Sequence, residues 1–231
     1  MWCIVPAMTN PEMTENCLSD LLAQSVPTRV LLILQGVHGA FRQRMEAIAE
    51  QEPRLLCWFH DPTLPSLSAT WNRALAFVWA CGGTEALVVN NDVRVDRRML
   101  EVLSAVRAGT DALFITAVGV TQEQFEVRPR NGGKTLIQAL VGESLVQELA
   151  GLALRMDTKD LKDRLLGALS TGGPDLSCFL ISKECHEKYQ FDEGLVPAFL
   201  EDLDFHRRMM LNGDGEYIFS INLPYLHICG G

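Results

Sequence analysis

Three stretches of this chain place metal-binding or proton-transferring side chains next to apolar runs. Residues 88–95, VVNNDVRV, carry an apolar run straight into Asn90, Asn91 and Asp92. A strand leaving the core there presents a carboxylate at its carboxyl end. Asp92 could hold Mg²⁺ or Mn²⁺, hard cations that prefer oxygen and keep positions open for phosphate oxygens. Asparagine and aspartate also favour turns, so the triplet alone reads more simply as a turn. Residues 191–213 place Glu201, Asp202 and Asp204 at the start of an amphipathic helix. The helix dipole stabilises ionised carboxylates there, and first-turn acidity is the simpler account. The sharper account makes one of them a general base that accepts a hydroxyl proton. In the terminal LPYLHICGG, His227 stands in an apolar run. It reads as a core or strand histidine, or as an imidazole that completes a metal shell.

The elements that must position these residues are short apolar runs alternating with amphipathic segments. Strands are expected at 2–7, 30–34, 54–59 and 85–90, with helices at 11–25, 39–51 and 66–81 between them. Strands that are continuously apolar and separated by helices indicate a parallel sheet covered on both faces. Right-handed crossovers then give a Rossmann-like layered α/β domain, whose ligands bind beyond the carboxyl ends of the strands. Pro6 to Asn10, Gln35 to His38, His60-Asp61 and Asn90 to Asp92 all fall there. Further on, a helix near 96–107 and a strand near 112–118 continue the pattern. Strands at 176–182 and 216–221 and a helix at 200–212 follow. Between them, 121–134 is polar, with Arg128, Arg130 and Lys134 around Asn131-Gly132-Gly133, and two helical stretches occupy 135–150 and 158–170. The polar piece reads first as a solvated turn; its functional reading is a lid that excludes water from a closed site. The segment 121–173 is treated as an insertion in a single domain of residues 1–231, with 1–120 as one half and 121–231 as the other.

Composition sets the outer bounds. At 231 residues with 48% hydrophobic and 21% charged, the chain fits one globular domain with a full core. A net charge of -9 argues against a broad basic surface for nucleic acid or anionic lipid. An acidic protein can still bind a diphosphate when a metal supplies positive charge. Seven cysteines without a C-x-x-C pair suggest free thiols in a reducing cytosol rather than a disulfide framework. No apolar run is long enough to span a bilayer and no leader is visible, so a soluble cytoplasmic protein is expected. Trp2, Trp58, Trp71 and Trp79 read mostly as core, Ser66 and Ser68 as a helix start, and His186 and His206 as helix-face residues without a role. Nucleophile-elbow, P-loop and dinucleotide-binding glycine motifs do not occur.

Taken in order, these pieces resemble the family-2-like glycosyltransferases with the GT-A fold. IVPAMTN, CLSDLLAQS and VLLILQGV look like that family's first strand, helix and second strand. SLSATWNRAL looks like its asparagine-containing segment, VVNNDVRV like its acidic strand end, and FDEG with EDLD like its acceptor-side helix. The resemblance covers about 1–120 and 174–231 and implies a GT-A fold: a mixed, mostly parallel central sheet with helices on both faces. It implies a metal-dependent, inverting transfer of sugar from a nucleotide-diphosphate sugar to an acceptor hydroxyl. Mn²⁺ or Mg²⁺ would sit on Asp92 and His227. Asp202 would be the base, with Glu201 and Asp204 as orienting or fallback carboxylates. Pro6, Ala7, Thr9, Gln35, Asn72, Asn90 and Asn91 would line the donor site. Gln35 stands where the family often has an aspartate that accepts the uracil N–H. Its carbonyl can accept the same bond, so a UDP- or dTDP-sugar is expected. The acceptor stays open among glycan, lipid-linked sugar, protein and modified nucleic acid. The other readings are a nucleotidyltransferase on a related fold and a non-catalytic sugar-nucleotide binder or scaffold.

Overall fold

The computed structural model describes residues 1–120, 154–155 and 176–228. The expected basic loop, the two helices after it, and with them nearly all of the proposed insertion lie outside the described residues. The first half alternates strictly: β1 (Trp2–Ala7), α1 (Pro11–Leu22), β2 (Arg29–Gln35), α2 (Gly39–Gln51), β3 (Leu55–His60), α3 (Leu67–Ala80) and β4 (Glu85–Val89). Then come β5 (Val93–Arg94), α4 (Met99–Gly109), β6 (Phe114–Val120), β7 (Leu154–Arg155) and β8 (Cys178–Ser182). The chain continues through α5 (Lys183–Lys188), α6 (Glu201–Leu211), a 3₁₀ turn (Gly215–Tyr217) and β9 (Ile218–His227).

The strands form one mixed sheet in the order β3-β2-β1-β4-β8-β6-β9-β5, with β7 also on β9. The longest ladders, β1–β2, β2–β3 and β6–β9, are parallel. Strand β8 runs antiparallel between β4 and β6. Successive side chains point to opposite faces, and here both faces are buried. Cys3, Val5, Val30, Leu32, Leu34, Leu87 and Val89 join α1, α2 and α4 in one core. Trp2, Ile4, Leu31, Ile33, Ala86 and Val88 join α3, α5 and α6 in the other. This two-sided burial is why the strand sequences are continuously apolar rather than alternating. Trp2, Trp71 and Trp79 are core residues, and Ser66 caps α3 by accepting the Ala69 N–H at 3.1 Å.

Two differences from the sequence expectation concern the second half. The last strand runs on through Leu223, Tyr225 and Leu226 to His227, well past 221. Residues 183–188 form a short helix capped by Ser182. Among the described residues, no helix is long and apolar enough to cross a membrane, and Cys3, Cys17, Cys178 and Cys185 are buried free thiols.

Strand direction decides where chemistry can gather. The carboxyl ends of β1, β2 and β4 lie on one edge because those strands are parallel. Strand β8 is antiparallel to β4, so its beginning lies on that same edge, with Cys178 opposite Val89. Strands β6 and β9 point the same way as β4, which brings the end of β9 there as well.

Candidate active site

Asp92 and His227 meet at this edge, with Oδ2 and Nε2 3.4 Å apart and each side chain about one quarter exposed. The backbone holds them there. Val93 pairs with His227 across β5 and β9, and the Ile228 N–H donates to the Asp92 carbonyl at 2.9 Å. A bidentate pair from Arg94 to Asp20, at 2.6 and 2.8 Å, ties β5 to α1. Ser177 sits between the pair and the rest of the site. Its hydroxyl lies 3.4 Å from His227 Nε2 and accepts from Asn90 Nδ2 at 3.3 Å, while its carbonyl accepts the Asn90 N–H at 2.9 Å. Asn91 turns the other way and donates to the Thr9 carbonyl at 2.9 Å and the Thr14 hydroxyl at 3.0 Å. It thereby joins the tips of β1 and β4.

The donor set suits a divalent cation. Two donors each about 2.1 Å from one ion, at angles between octahedral and tetrahedral, lie about 3.0–3.4 Å apart. The carboxylate is a donor that Mn²⁺ and Mg²⁺ both take, and the imidazole adds one nitrogen to an otherwise oxygen shell. Among the described residues no group of three or more His, Cys, Asp and Glu side chains gathers to hold a metal.

Asn90 and Ser177 also line a cavity of about 140 Å³ whose far wall is the start of α6, with Glu201 and Asp202. Helix α6 is preceded at its capping position by Leu200, which has a left-handed φ of 72° and gives no side-chain cap. The Leu203 N–H donates to Asp202 Oδ1 at 2.8 Å. Burial pushes the Glu201 carboxyl above its ordinary value, with the neighbouring Asp202 adding to the effect. One turn on, the His206 ring donates from Nδ1 to the Asp202 carbonyl at 2.6 Å.

Several residues assigned from the sequence serve other ends. Pro6 and Ala7 are buried within β1, opposite Ile33 and Leu34, whereas Thr9, assigned with them, is exposed just beyond the end of the strand. Gln35 is 5% exposed. Its amide donates to Thr70 Oγ1 at 2.8 Å and its carbonyl accepts the Leu64 N–H at 2.9 Å. It fastens the loop before α3 and does not offer its polar edge to a base. Asn72 is buried and clamps residue 191. It donates to the Phe191 carbonyl at 2.8 Å and to Glu193 Oε1 at 3.0 Å, and it accepts the Phe191 N–H at 3.0 Å. Its Oδ1 also lies 3.1 Å from His186 Nε2. The indole N–H of Trp79 donates to His186 Nδ1, so the proton is on Nε2 and Asn72 accepts it. Asp204 pairs with Arg208 at 2.7 Å along the helix and is not among the cavity residues. Ser177, Trp71 and Phe199 wall the cavity and carried no sequence signal beyond a strand start, a core aromatic and a loop.

Neither a protein-family model nor a curated protein matches the sequence. Solved structures do match. TarS from S. aureus, in complex with UDP, superposes with a TM-score of 0.61 at 16% identity, covering 100% of this chain and 58% of that one. A mannosyltransferase from Pyrobaculum calidifontis, with GDP-Man and Mn²⁺, gives 0.62 at 15% identity, covering 97% and 55%. The fold is the GT-A glycosyltransferase fold. Glucosyl-3-phosphoglycerate synthase from Mycobacterium tuberculosis, with phosphoglyceric acid, gives 0.60 at 14% identity, covering 96% and 69%. The chain thus spans a little over half the length of the first two GT-A proteins and about two thirds of the third.

Proposed function

We propose that this chain is a metal-dependent, inverting glycosyltransferase that moves a sugar from a nucleotide-diphosphate sugar to an acceptor hydroxyl. The observation that carries the reading is the meeting of Asp92 with His227 on the edge where Asn90 and Asp202 share a cavity. The solved structures that share the fold add support, since one is a complex with UDP-GlcNAc and another with GDP-Man and Mn²⁺.

In this reading Asp92 and His227 would hold Mn²⁺ or Mg²⁺, which when bound would supply positive charge to the departing diphosphate. Asn91 keeps the β1 and β4 tips together, so the donor crevice has fixed walls. Ser177 stands beside His227 Nε2, the nitrogen that would face the metal, and holds the Asn90 side chain next to it. Asp202, ionised at the start of α6, takes the acceptor proton as the hydroxyl attacks from the face opposite the leaving group. One base suffices for inversion, because the leaving group needs no protonation once its charge is neutralised.

The test is a thermal-shift panel of UDP, dTDP, GDP and their sugars, with and without Mn²⁺, followed by turnover. A ligand at a hundredfold its dissociation constant adds about 2.7 kcal/mol. Asp92→Ala should abolish the Mn²⁺-dependent shift. Asp202→Asn should retain it and lower turnover by about 10²–10⁴-fold. A nucleotide shift indifferent to Mn²⁺ and to Asp92→Ala would remove the metal reading. Full turnover in Asp202→Asn would remove the base.

A further inference from the structure

The sheet ends differently on its two sides. On one side the last strand is β5, two residues long, and the Arg94–Asp20 pair ties it to α1. On the other the last strand is β3, Leu55–His60, which pairs with β2 along its whole length without a bulge. Proteins commonly blunt an edge strand by shortness, charge, proline or a bulge. The sequence LLCWFH has no Lys, Arg, Asp, Glu or Pro. Its backbone leaves one row of groups open. The Val30 N–H donates to the Arg54 carbonyl at 2.8 Å and the Gly36 N–H to the His60 carbonyl at 2.9 Å, so the even-numbered residues face β2. Backbone groups alternate sides along a strand, and the N–H and C=O of Cys57 and Phe59 therefore face outward. Among the described residues no backbone group pairs with them. Such a row is a template for an added strand.

Two arginines flank this row on opposite faces of the sheet. Phe59 packs against the core beneath α1 and α2, and Trp58 against the core beneath α3. Arg42 of α2 lies over the Phe59 ring at 4.2 Å. Its Nε donates to Glu46 Oε1 at 2.8 Å, and its terminal nitrogens have no partner among the described residues. Arg73 of α3 is exposed and pairs with no carboxylate among the described residues. It stands near His60, whose imidazole is held below its ordinary value by burial, with the Arg73 guanidinium adding to the effect. Both arginines and residues 57–60 line one open groove of about 550 Å³. Leu56, next along the strand, is 39% exposed.

We propose that the β3 edge docks an extended segment of another protein as an added strand, with apolar residues along Leu56 to Trp58 and two consecutive acidic residues beside Phe59 and His60. Neighbouring residues of a strand point to opposite faces, so consecutive carboxylates reach Arg42 and Arg73 at once. Backbone pairing supplies the affinity and the charges fix the register. A second copy of this chain fits less well. Strand β3 contains no carboxylate, so pairing it with itself sets both guanidiniums against apolar side chains. The site stands whether or not the chain transfers sugar.

The test titrates the full chain against fluorescein-labelled TVTIEETS and its reversed sequence STEEITVT by anisotropy, since an added strand can run either way. At least one should bind. Replacing its two glutamates by lysine, or N-methylating alternate backbone amides in one of the two phases, should weaken it about tenfold or more. Arg73→Glu should weaken the acidic peptide by a similar factor and strengthen the lysine peptide, an exchange that a merely structural arginine would not produce. Cys57→Pro removes an outward N–H and spares the ladder to β2, a place where an edge strand tolerates proline. It should lose the peptide and keep its Tm; if it does not fold, the N-methylated peptides test the same bonds from the other side. Binding of neither peptide, or binding indifferent to N-methylation and to Arg73→Glu, overturns the proposal. A dimer in sedimentation velocity that Cys57→Pro dissociates makes the occupant a second copy and overturns the partner named here.

Discussion

Replacing Asn72 by leucine, which is close in volume, removes the link between α3 and the loop that leads to Asp202. Four polar contacts go, but their costs differ. Glu193 is exposed, and water replaces the lost partner at little cost. The N–H and carbonyl of Phe191 and the Nε2–H of His186 are different, because Phe191 is 2% and His186 3% exposed. Each would be left buried and unpaired, at about 1–3 kcal/mol apiece. Partial relaxation of the loop reduces the sum, and a loss of about 3–5 kcal/mol is expected. That is a large part of the 5–15 kcal/mol typical of a domain. The assay is urea unfolding at pH 7 followed by tryptophan fluorescence, where the midpoint should fall at unchanged slope. A single-variant loss below about 1 kcal/mol would refute the claim that these bonds carry buried polar groups.

Two further outcomes can be checked with the same unfolding assay. Burial holds His186 and His206 down to about 4, against an ordinary 6.5. Above pH 6.5 both are neutral whether folded or not, and their contribution is fully present. As pH falls from 6.5 to 4 only the unfolded chain takes up the protons, so stability declines, by up to about 3 kcal/mol per histidine, and levels off below 4. His206→Asn should reduce the pH slope in that window by about one proton, and an unchanged slope would contradict the assignment. A Cβ at Gly83 would stand 2.6 Å from Val78 Cγ1 and 2.9 Å from its carbonyl oxygen, whereas one at Gly109 meets nothing within 4 Å. Gly83→Ala should therefore cost about 1–3 kcal/mol and Gly109→Ala should not destabilise. Equal effects would show that the turn after α3 is not tightly packed.

Local chemistry made the first half of this protein legible in one dimension. A strand buried on both faces must be apolar at every position, and only a parallel sheet under two helical layers needs several such strands in alternation with helices. VLLIL and EALVV therefore announced their layer without any contact being known. The Asn-Asn-Asp strand end was visible for the same reason, as the first polar residues after a buried run. What each polar residue does was decided elsewhere. Gln35 and Asn72 looked like donor contacts, but their partners, Thr70 and Leu64 in one case and Phe191 and His186 in the other, turn them into fasteners. Asp202 and Asp204 are indistinguishable by type and neighbourhood, yet one faces a cavity and the other pairs with Arg208. Asp92 and His227 are separated by most of the second half of the chain. They meet because β8 runs antiparallel between β4 and β6, which puts the ends of β4 and β9 on one edge. Sequence pattern sets burial, since burial acts one residue at a time; partnership depends on strand direction and order, which only the assembled sheet contains.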